Sequence, residues 1–261
     1  MVWQTVWVGK RPRITRAVLI EGLPGIGNAG KVAVDFLIDT LGGRRIVEFR
    51  SRLMPHSVFV NERGLVELPR IDLYVVERKR GPTLLLLSGD VQPVNEESCY
   101  EFCDAILAIA KEMNVQEVVT TGGIGLRAVP KKPKVYVTGT SRDAIKPYAK
   151  LKVNTNLYGT VGPIIGVSGI LCGLAGRHKL PGAALLVEVF GHPMYLGVRG
   201  AKELLRVLNA RFTLKLNFKQ IEKEIEALES ELTERTQDFN VRQTALKGLR
   251  PKGSEELNYI G

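Results

Sequence analysis

The chain of 261 residues is 44% hydrophobic and 25% charged, with a mean hydropathy of +0.01. These values are typical of a soluble globular protein, and they exclude a collagen, a mucin-like stalk and a largely disordered chain. The length supports one large α/β domain or two small ones without disulfide bonds. No apolar run reaches the ~20 residues that span a bilayer. The N-terminal residues also lack the pattern of a signal peptide, so we expect a cytoplasmic protein.

Lysine and arginine outnumber aspartate and glutamate by 37 to 27, which gives a net charge of +10. A positive charge of this size favours nucleic acid or acidic protein surfaces as partners. The basic residues are scattered, however, and their short clusters at residues 10–13, 78–80 and 131–134 contain no interleaved aromatic side chains. We therefore disfavour a nucleic-acid partner and keep it as a third hypothesis.

Along residues 1–210, short apolar runs alternate with segments of helical periodicity. The predicted strands are residues 2–8, 17–21, 45–49, 57–67 (as a hairpin), 71–77, 83–88, 115–121, 134–138 and 183–189. The predicted helices are residues 31–41, 97–113, 164–175 and 200–208, with a further helix starting near residues 140–143. Four consecutive leucines in the strand 83–88 indicate that it is covered on both faces. This order predicts one three-layer α/β/α domain over residues 1–210.

The sequence changes character after residue 210. Residues 211–237 carry apolar residues at alternating spacings of four and three, which predicts an amphipathic helix with one apolar stripe. The stripe consists of Leu214, Phe218, Ile221, Ile225, Leu228 and Leu232. It must pack against its own domain or against another copy of the chain. Residues 238–261 lack a periodic apolar face, and their composition predicts a flexible tail.

A glycine-rich segment at residues 25–31 follows the predicted strand 17–21. Gly25, Gly27 and Gly30 match the G-x-G-x-x-G pattern of dinucleotide-binding turns. Glu48, at the end of the next predicted strand, lies where a ribose-binding acid would be placed.

The same segment also matches a phosphate-binding P-loop, in which Gly30 is followed by Lys31. Val32 replaces the serine or threonine that would hold Mg²⁺, and this counts against an NTPase. The other interpretation is a tight strand-to-helix turn that needs a left-handed backbone and close packing, and we favour it. A nucleotide- or dinucleotide-binding enzyme that uses residues 25–31 stays the alternative.

The cysteines and histidines predict no metal site, and no catalytic set is evident. Cys99 and Cys103 are four residues apart on a predicted helix, but zinc needs two further ligands and the three histidines are distant in sequence. We interpret the three cysteines as buried small apolar residues. Neither Ser88 nor Ser168 lies in a G-x-S-x-G motif. These residues therefore give no candidate for a catalytic or metal-binding site.

Five glycine-containing motifs follow one another between residues 15 and 210. They are EGLPGIGNAGK at 21–31, SGD at 88–90, TTGGIG at 120–125, GPIIGVSG at 162–169 and FGHP at 190–193. Their order and spacing resemble the proteasome assembly chaperone family, in particular its archaeal homologues of the second-subunit type. The resemblance implies a nucleoside-phosphorylase-like α/β/α domain with a mixed, mostly parallel sheet. It also implies that the protein is not an enzyme, forms a homo-oligomer and binds the α-subunit ring of the proteasome. We therefore predict no cofactor.

The resemblance further implies docking through the C-terminal residues, since archaeal relatives use segments related to the hydrophobic-Tyr-X motif of proteasome activators. Leu257, Tyr259 and Ile260 are the candidate partner-binding residues. Tyr259 is third from the end of the sequence, whereas a strict match would place it second from the end. The other interpretation of these residues is a chain end without a role. An assembly chaperone and an activator that opens the gate of the finished proteasome both agree with the resemblance.

Overall fold

The computed structural model describes residues 2–157, 159, 162–192, 195–225 and 227. These residues form two compact units, one up to Leu216 and one from Asn217 onward. No helix in the described ranges is both long and apolar enough to cross a membrane.

The first unit contains the strands and the α-helices α1–α5. The strands are β1 (Trp3–Trp7), β2 (Ala17–Gly22), β3 (Arg44–Ser51), β4 (Phe59–Val60), β5 (Val66–Glu67), β6 (Ile71–Val76), β7 (Thr83–Gly89), β8 (Val115–Leu126), β9 (Val135–Gly139) and β10 (Gly182–Phe190). The helices are α1 (Ala29–Leu41), α2 (Glu96–Glu112), α3 (Arg142–Ala149), α4 (Val167–Arg177) and α5 (Val198–Phe212). A short 3-10 turn, Ile26–Asn28, precedes α1.

Eight strands form one sheet in the order β1-β3-β6-β7-β2-β8-β10-β9. The central strands β7, β2, β8 and β10 are parallel, and β3 runs in the same direction as these four. Five of the eight strands therefore share one direction, and the expected mixed, mostly parallel sheet is confirmed. The strands β4 and β5 form a separate two-stranded hairpin.

Helices cover both faces of the sheet, because successive side chains of the buried strand β2 point to opposite faces. A Cβ at Gly22 would point at Val34 of α1, whereas the preceding side chain, that of Glu21, reaches Ser168 of α4. Helices α1 and α5 pack together, and α2 packs on α4. All four leucines from Leu84 to Leu87 are fully buried, as predicted. The three-layer architecture is confirmed.

An aromatic cluster fixes the edge of the sheet to the α2 layer. The rings of Trp3 and Phe102 lie 4.4 Å apart, and those of Phe49 and Phe102 lie 5.1 Å apart, measured between centroids. The indole nitrogen of Trp3 donates to the carbonyl oxygen of Ser98 at 3.0 Å. This donation satisfies the polar atom of a buried tryptophan, so β1, β3 and α2 form one core.

Several predicted boundaries are wrong, two of them in glycine-rich stretches. The strand predicted to end at residue 121 continues to Leu126, because Gly122 and Gly123 stay in register with β10. Helix α4 begins at Val167 instead of residue 164, and α5 runs to Phe212 instead of residue 208. Glycine weakens a strand in general, but here its missing side chain makes room for a neighbouring segment.

The helix predicted from residue 211 also begins later than expected. Residues 211 and 212 belong to α5, which ends where Thr213 adopts a left-handed backbone with φ 53°. Residues 214–217 are not helical, and the next helical residues are 218–225 and 227. Leu214 is therefore not part of that helix. Phe218, Ile221 and Ile225 do lie on that helix. Leu228, Leu232 and the predicted tail, residues 238–261, lie outside the described residues.

Candidate functional site

The glycine-rich segment makes a tight turn between β2 and α1. Gly27 and Asn28 both have left-handed backbones, with φ 63° and 50°. The amide of Asn28 donates to the carbonyl oxygen of Gly25 at 3.0 Å. The predicted left-handed turn is present, and it delivers the chain directly into the first turn of α1.

The glycines of this turn are in close contact with the sheet. A Cβ at Gly30 would lie 2.5 Å from the hydroxyl oxygen of Thr121, and one at Gly27 would lie 2.8 Å from a methyl carbon of Val189. A Cβ at Gly123 would lie 2.1 Å from the carbonyl oxygen of Ile26. The turn is therefore pressed against β8 and β10, and its missing side chains serve packing.

The lysine that follows the turn is engaged on its own helix. The ammonium group of Lys31 pairs with one carboxylate oxygen of Asp35 at 2.8 Å. The other oxygen of Asp35 accepts a hydrogen bond from the Ser88 hydroxyl at the end of β7. Asp35 therefore links α1 to the SGD motif, and Lys31 is paired with the same carboxylate.

The placement of Glu48 as a ribose-binding acid is wrong. Glu48 lies on β3, and β6 and β7 separate β3 from β2 in the sheet. Its carboxylate pairs with Arg50 at 2.6 Å, and this partner holds the pKa of Glu48 below its usual value. An acid that serves a dinucleotide turn must come from the neighbouring strand, which here is β7 or β8.

A buried polar cluster lies beneath the turn, around Glu21. One carboxyl oxygen of Glu21 accepts from the amide of Leu23 at 2.9 Å and lies 3.3 Å from the Ser168 hydroxyl. The same hydroxyl lies 3.1 Å from the carbonyl oxygen of Thr121. The second carboxyl oxygen of Glu21 is buried with no hydrogen-bond partner among the described residues, as is the Thr120 hydroxyl.

Burial raises the pKa of Glu21 to about 7, and the hydrogen bonds from Leu23 and Ser168 offset part of this rise. No sequence motif gives Glu21 a functional role of its own. The available signal was a single charged residue inside an otherwise apolar strand. Because Glu21 joins β2, β8 and α4, its position favours a structural polar contact in the centre of the fold.

All three cysteines are buried free thiols, as predicted. Burial raises the pKa of Cys172 to about 11. Within the described residues no group of three or more metal-binding side chains occurs.

The β4–β5 hairpin carries an exposed apolar face. Val60 pairs with Val66 across the hairpin, and strand alternation places Val58 and Leu68 on the same side. All four side chains are between 54% and 74% exposed. Exposed aliphatic side chains on one side of a hairpin are typical of a surface that contacts another molecule. We refer to Val58, Val60, Val66 and Leu68 as the hairpin face.

The sequence-predicted partner-binding residues Leu257, Tyr259 and Ile260 lie outside the described residues. The structure therefore neither places them nor brings them together.

The covered sheet and the packed turn define an α/β/α protein that differs from a Rossmann dinucleotide-binding domain in both strand order and loop use. Residues 19–236 match the model of the PAC2 family. The chain belongs to the PAC2 family, and the resemblance predicted from the glycine motifs is confirmed.

Three similar proteins span nearly the whole chain. An uncharacterized protein of Methanocaldococcus jannaschii is 28% identical over 249 residues, which are 95% of this chain and 93% of that protein. PbaB of Pyrococcus furiosus, an archaeal proteasome activator, has a TM-score of 0.79 and 25% identity, covering 90% of this chain and 98% of PbaB. PbaA of the same organism, an archaeal homolog of proteasome-assembly chaperone, has a TM-score of 0.71 and 25% identity, covering 92% and 99%.

The contact between the turn and β8 predicts that Gly30→Ala destabilises the protein by about 1–3 kcal/mol, because the added methyl group meets Thr121. Helix propensity alone would make alanine more stable than glycine by about 1 kcal/mol. A loss of stability would therefore identify the contact with Thr121 as the cause. Gly25→Ala is the matched control, because a Cβ there meets nothing within 4 Å. Urea unfolding of the two variants checks the prediction, and equal stability would contradict the packing role.

The buried carboxyl of Glu21 predicts a pH-dependent stability. The folded protein holds this proton up to about pH 7, whereas the unfolded chain releases it near pH 4.5, the ordinary pKa of a glutamate. Stability relative to Glu21→Gln should therefore fall by about 3 kcal/mol between about pH 5 and pH 8 and stay level above that range. Denaturant unfolding across this range measures the difference. The exposed Glu62→Gln is the control, and a constant difference for Glu21→Gln would disprove the assignment.

Proposed function

We propose that this protein is a non-enzymatic partner of the proteasome, either an assembly chaperone or an activator-like adaptor, which binds the α-subunit ring. The observation that carries the proposal is the likeness to PbaB, a proteasome activator, over 98% of that chain with a TM-score of 0.79. The likeness to PbaA points in the same direction. A partner of the proteasome works in the same compartment as the proteasome, so we infer a cytoplasmic location.

The arrangement of the glycine turn supports a role without catalysis. A phosphate-cradling loop keeps its backbone amides and its lysine available to the ligand. In this protein Gly27 and Gly30 face Val189 and Thr121, and Lys31 is paired with Asp35. These contacts favour an interaction protein over the nucleotide-dependent enzyme that the motif alone allowed.

Docking on the α-ring is assigned to the C-terminal residues Leu257, Tyr259 and Ile260. Apolar side chains at the end of a chain can fill a pocket between neighbouring ring subunits. A segment that becomes ordered on binding loses conformational entropy, so a single copy binds weakly. Several copies on one oligomer raise the effective concentration and convert weak contacts into avidity.

The hairpin face supports the homo-oligomer that this docking mode requires. Its four aliphatic side chains come from a two-stranded sheet separate from the main one, and each is more than half exposed. Burying them against a second copy would contribute about 25 cal/mol for each Å² of apolar surface removed from water. We infer that the hairpin face lies in the contact between subunits.

Removal of residues 255–261 should weaken binding to the purified α-ring by about 100-fold, because every copy loses its anchor at once. Tyr259→Ala should reproduce most of this loss, and Asn258→Ala, one position earlier, should not. Surface plasmon resonance on immobilised α-ring measures all of these proteins. Equal affinity of the shortened and complete chains would move the binding site to the folded units.

Substitution of the hairpin face should split the oligomer without unfolding the subunit. Val66→Lys combined with Leu68→Lys places two charges in an apolar contact, where an unpaired charge is costly. Val94→Lys, at a residue that is 75% exposed outside the hairpin, is the control. Multi-angle light scattering reports the mass and circular dichroism the fold. An unchanged mass for the double variant would exclude this face from the subunit contact.

A further inference from the structure

A basic groove lies at the β9 edge of the sheet, in the first unit. It encloses about 580 Å³ and is lined by three segments: residues 132–135, residues 151–154 and one face of α5. A second depression of about 370 Å³ adjoins it at Leu151 and extends along α3 to Arg211. The two together form an elongated surface feature of the size that accommodates a short ligand segment.

Much of the net charge of the chain lies in the segment that supplies most of this groove. Residues 127–154 contain eight lysines and arginines and one aspartate, so 28 residues carry a net charge of +7 out of the total +10. Lys132, Lys134 and Lys152 line the larger depression together with Arg206 of α5. The sequence scatters these residues over some 75 positions, and the fold brings them to one place.

Three glutamates near the groove already have partners, whereas Asp143 lines the second depression. Glu203 pairs with Arg206 at 3.2 Å, and Glu117 pairs with Arg211 at 2.6 Å. Glu188 accepts from the amide of Lys134 and from the hydroxyl of Tyr136, each at 3.0 Å. Among the described residues no carboxylate forms an ion pair with the ammonium groups of Lys132, Lys134 or Lys152. These lysines are exposed and lie around one depression, which favours an anionic ligand.

The floor of the groove is apolar and fixed. Val135, Leu151, Val153 and Val207 line it below the lysines. The segment at Asn154 is held to β9 by two backbone hydrogen bonds of 2.9 Å, to Val135 and Val137. A ligand that matches this surface must offer both negative charge and apolar side chains.

We infer that the groove binds an acidic, extended peptide segment of a partner protein, with its carboxylates on the lysines and its apolar side chains on the valine floor. A single-stranded nucleic acid would need exposed aromatic rings on which its bases could stack. Among the tyrosines that the structure describes at this edge, Tyr136 and Tyr148 do not supply them, since both are buried with their hydroxyls on Glu188 and Glu117. The groove is a second binding surface, separate from the C-terminal residues.

The test uses fluorescence anisotropy with a labelled peptide of alternating glutamate and leucine and the full-length protein. The groove variant combines Lys132→Gln, Lys134→Gln and Lys152→Gln. The control variant changes the charge equally at three exposed positions elsewhere, with Lys10→Gln, Arg63→Gln and Lys79→Gln. We expect about a tenfold loss of affinity for the groove variant and little change for the control, with weaker binding at higher salt.

Each other outcome overturns the inference. Equal losses in both variants would show an effect of net charge alone. If a glutamine–leucine peptide bound as tightly as the glutamate–leucine peptide, the carboxylates would not contribute to binding. Tighter binding of an oligothymidylate that depends on the same lysines would assign the groove to nucleic acid, and no binding of the acidic peptide would end the proposal. A protein without residues 255–261 should bind the peptide normally, so failure here and failure of the α-ring proposal are distinguishable.

Discussion

The close approach of the turn after β2 to strands β8 and β10 is the contact on which the rest of the first unit depends. Gly30 lies against Thr121 and Gly27 against Val189, at distances that leave no room for a side chain. The carbonyl oxygen of Gly27 also accepts a hydrogen bond of 2.7 Å from the amide of Gly197, at the start of α5. This turn therefore holds α1 against the sheet and fixes the position where α5 begins. It also packs against β8 and β10 near their carboxyl ends. The buried carboxyl of Glu21 lies beneath the turn.

Most of the fold could be predicted from the sequence, because strands covered on both faces are continuous apolar runs such as Leu84–Leu87. Two of the boundary errors share one physical cause. Glycine is a local signal for the end of a strand or helix, yet in β8 Gly123 stays in the strand so that the carbonyl of Ile26 can approach it. Strand order is likewise not a local property. Glu48 follows the glycine turn in sequence, but its strand pairs with β1 and β6, far from the turn.

The proposed binding surfaces are harder to predict than the family. The order of the glycine motifs was sufficient for the family, which the match over residues 19–236 confirms. The hairpin was predicted, but the exposure of Val60 and Val66 depends on what the rest of the chain leaves uncovered. The groove depends on tertiary structure even more. The basic cluster at residues 131–134 forms a groove only because the fold places Lys152 and Arg206 beside it. The polar cluster around Glu21 could not be predicted, because its partner Ser168 is 147 residues away in the sequence.

These features describe a protein whose glycine turn holds the fold together and whose proposed activity lies in contacts with other proteins. The measurement that tests this account most directly is calorimetric titration of the full-length protein with ATP, GTP and NAD, followed by thermal unfolding in their presence. A ligand that binds the folded state raises its stability by mass action. The account predicts no heat of binding and no change in melting temperature up to about 1 mM of each nucleotide. Binding at about micromolar concentration that Lys31→Ala abolishes would contradict it, and would make the turn a nucleotide site.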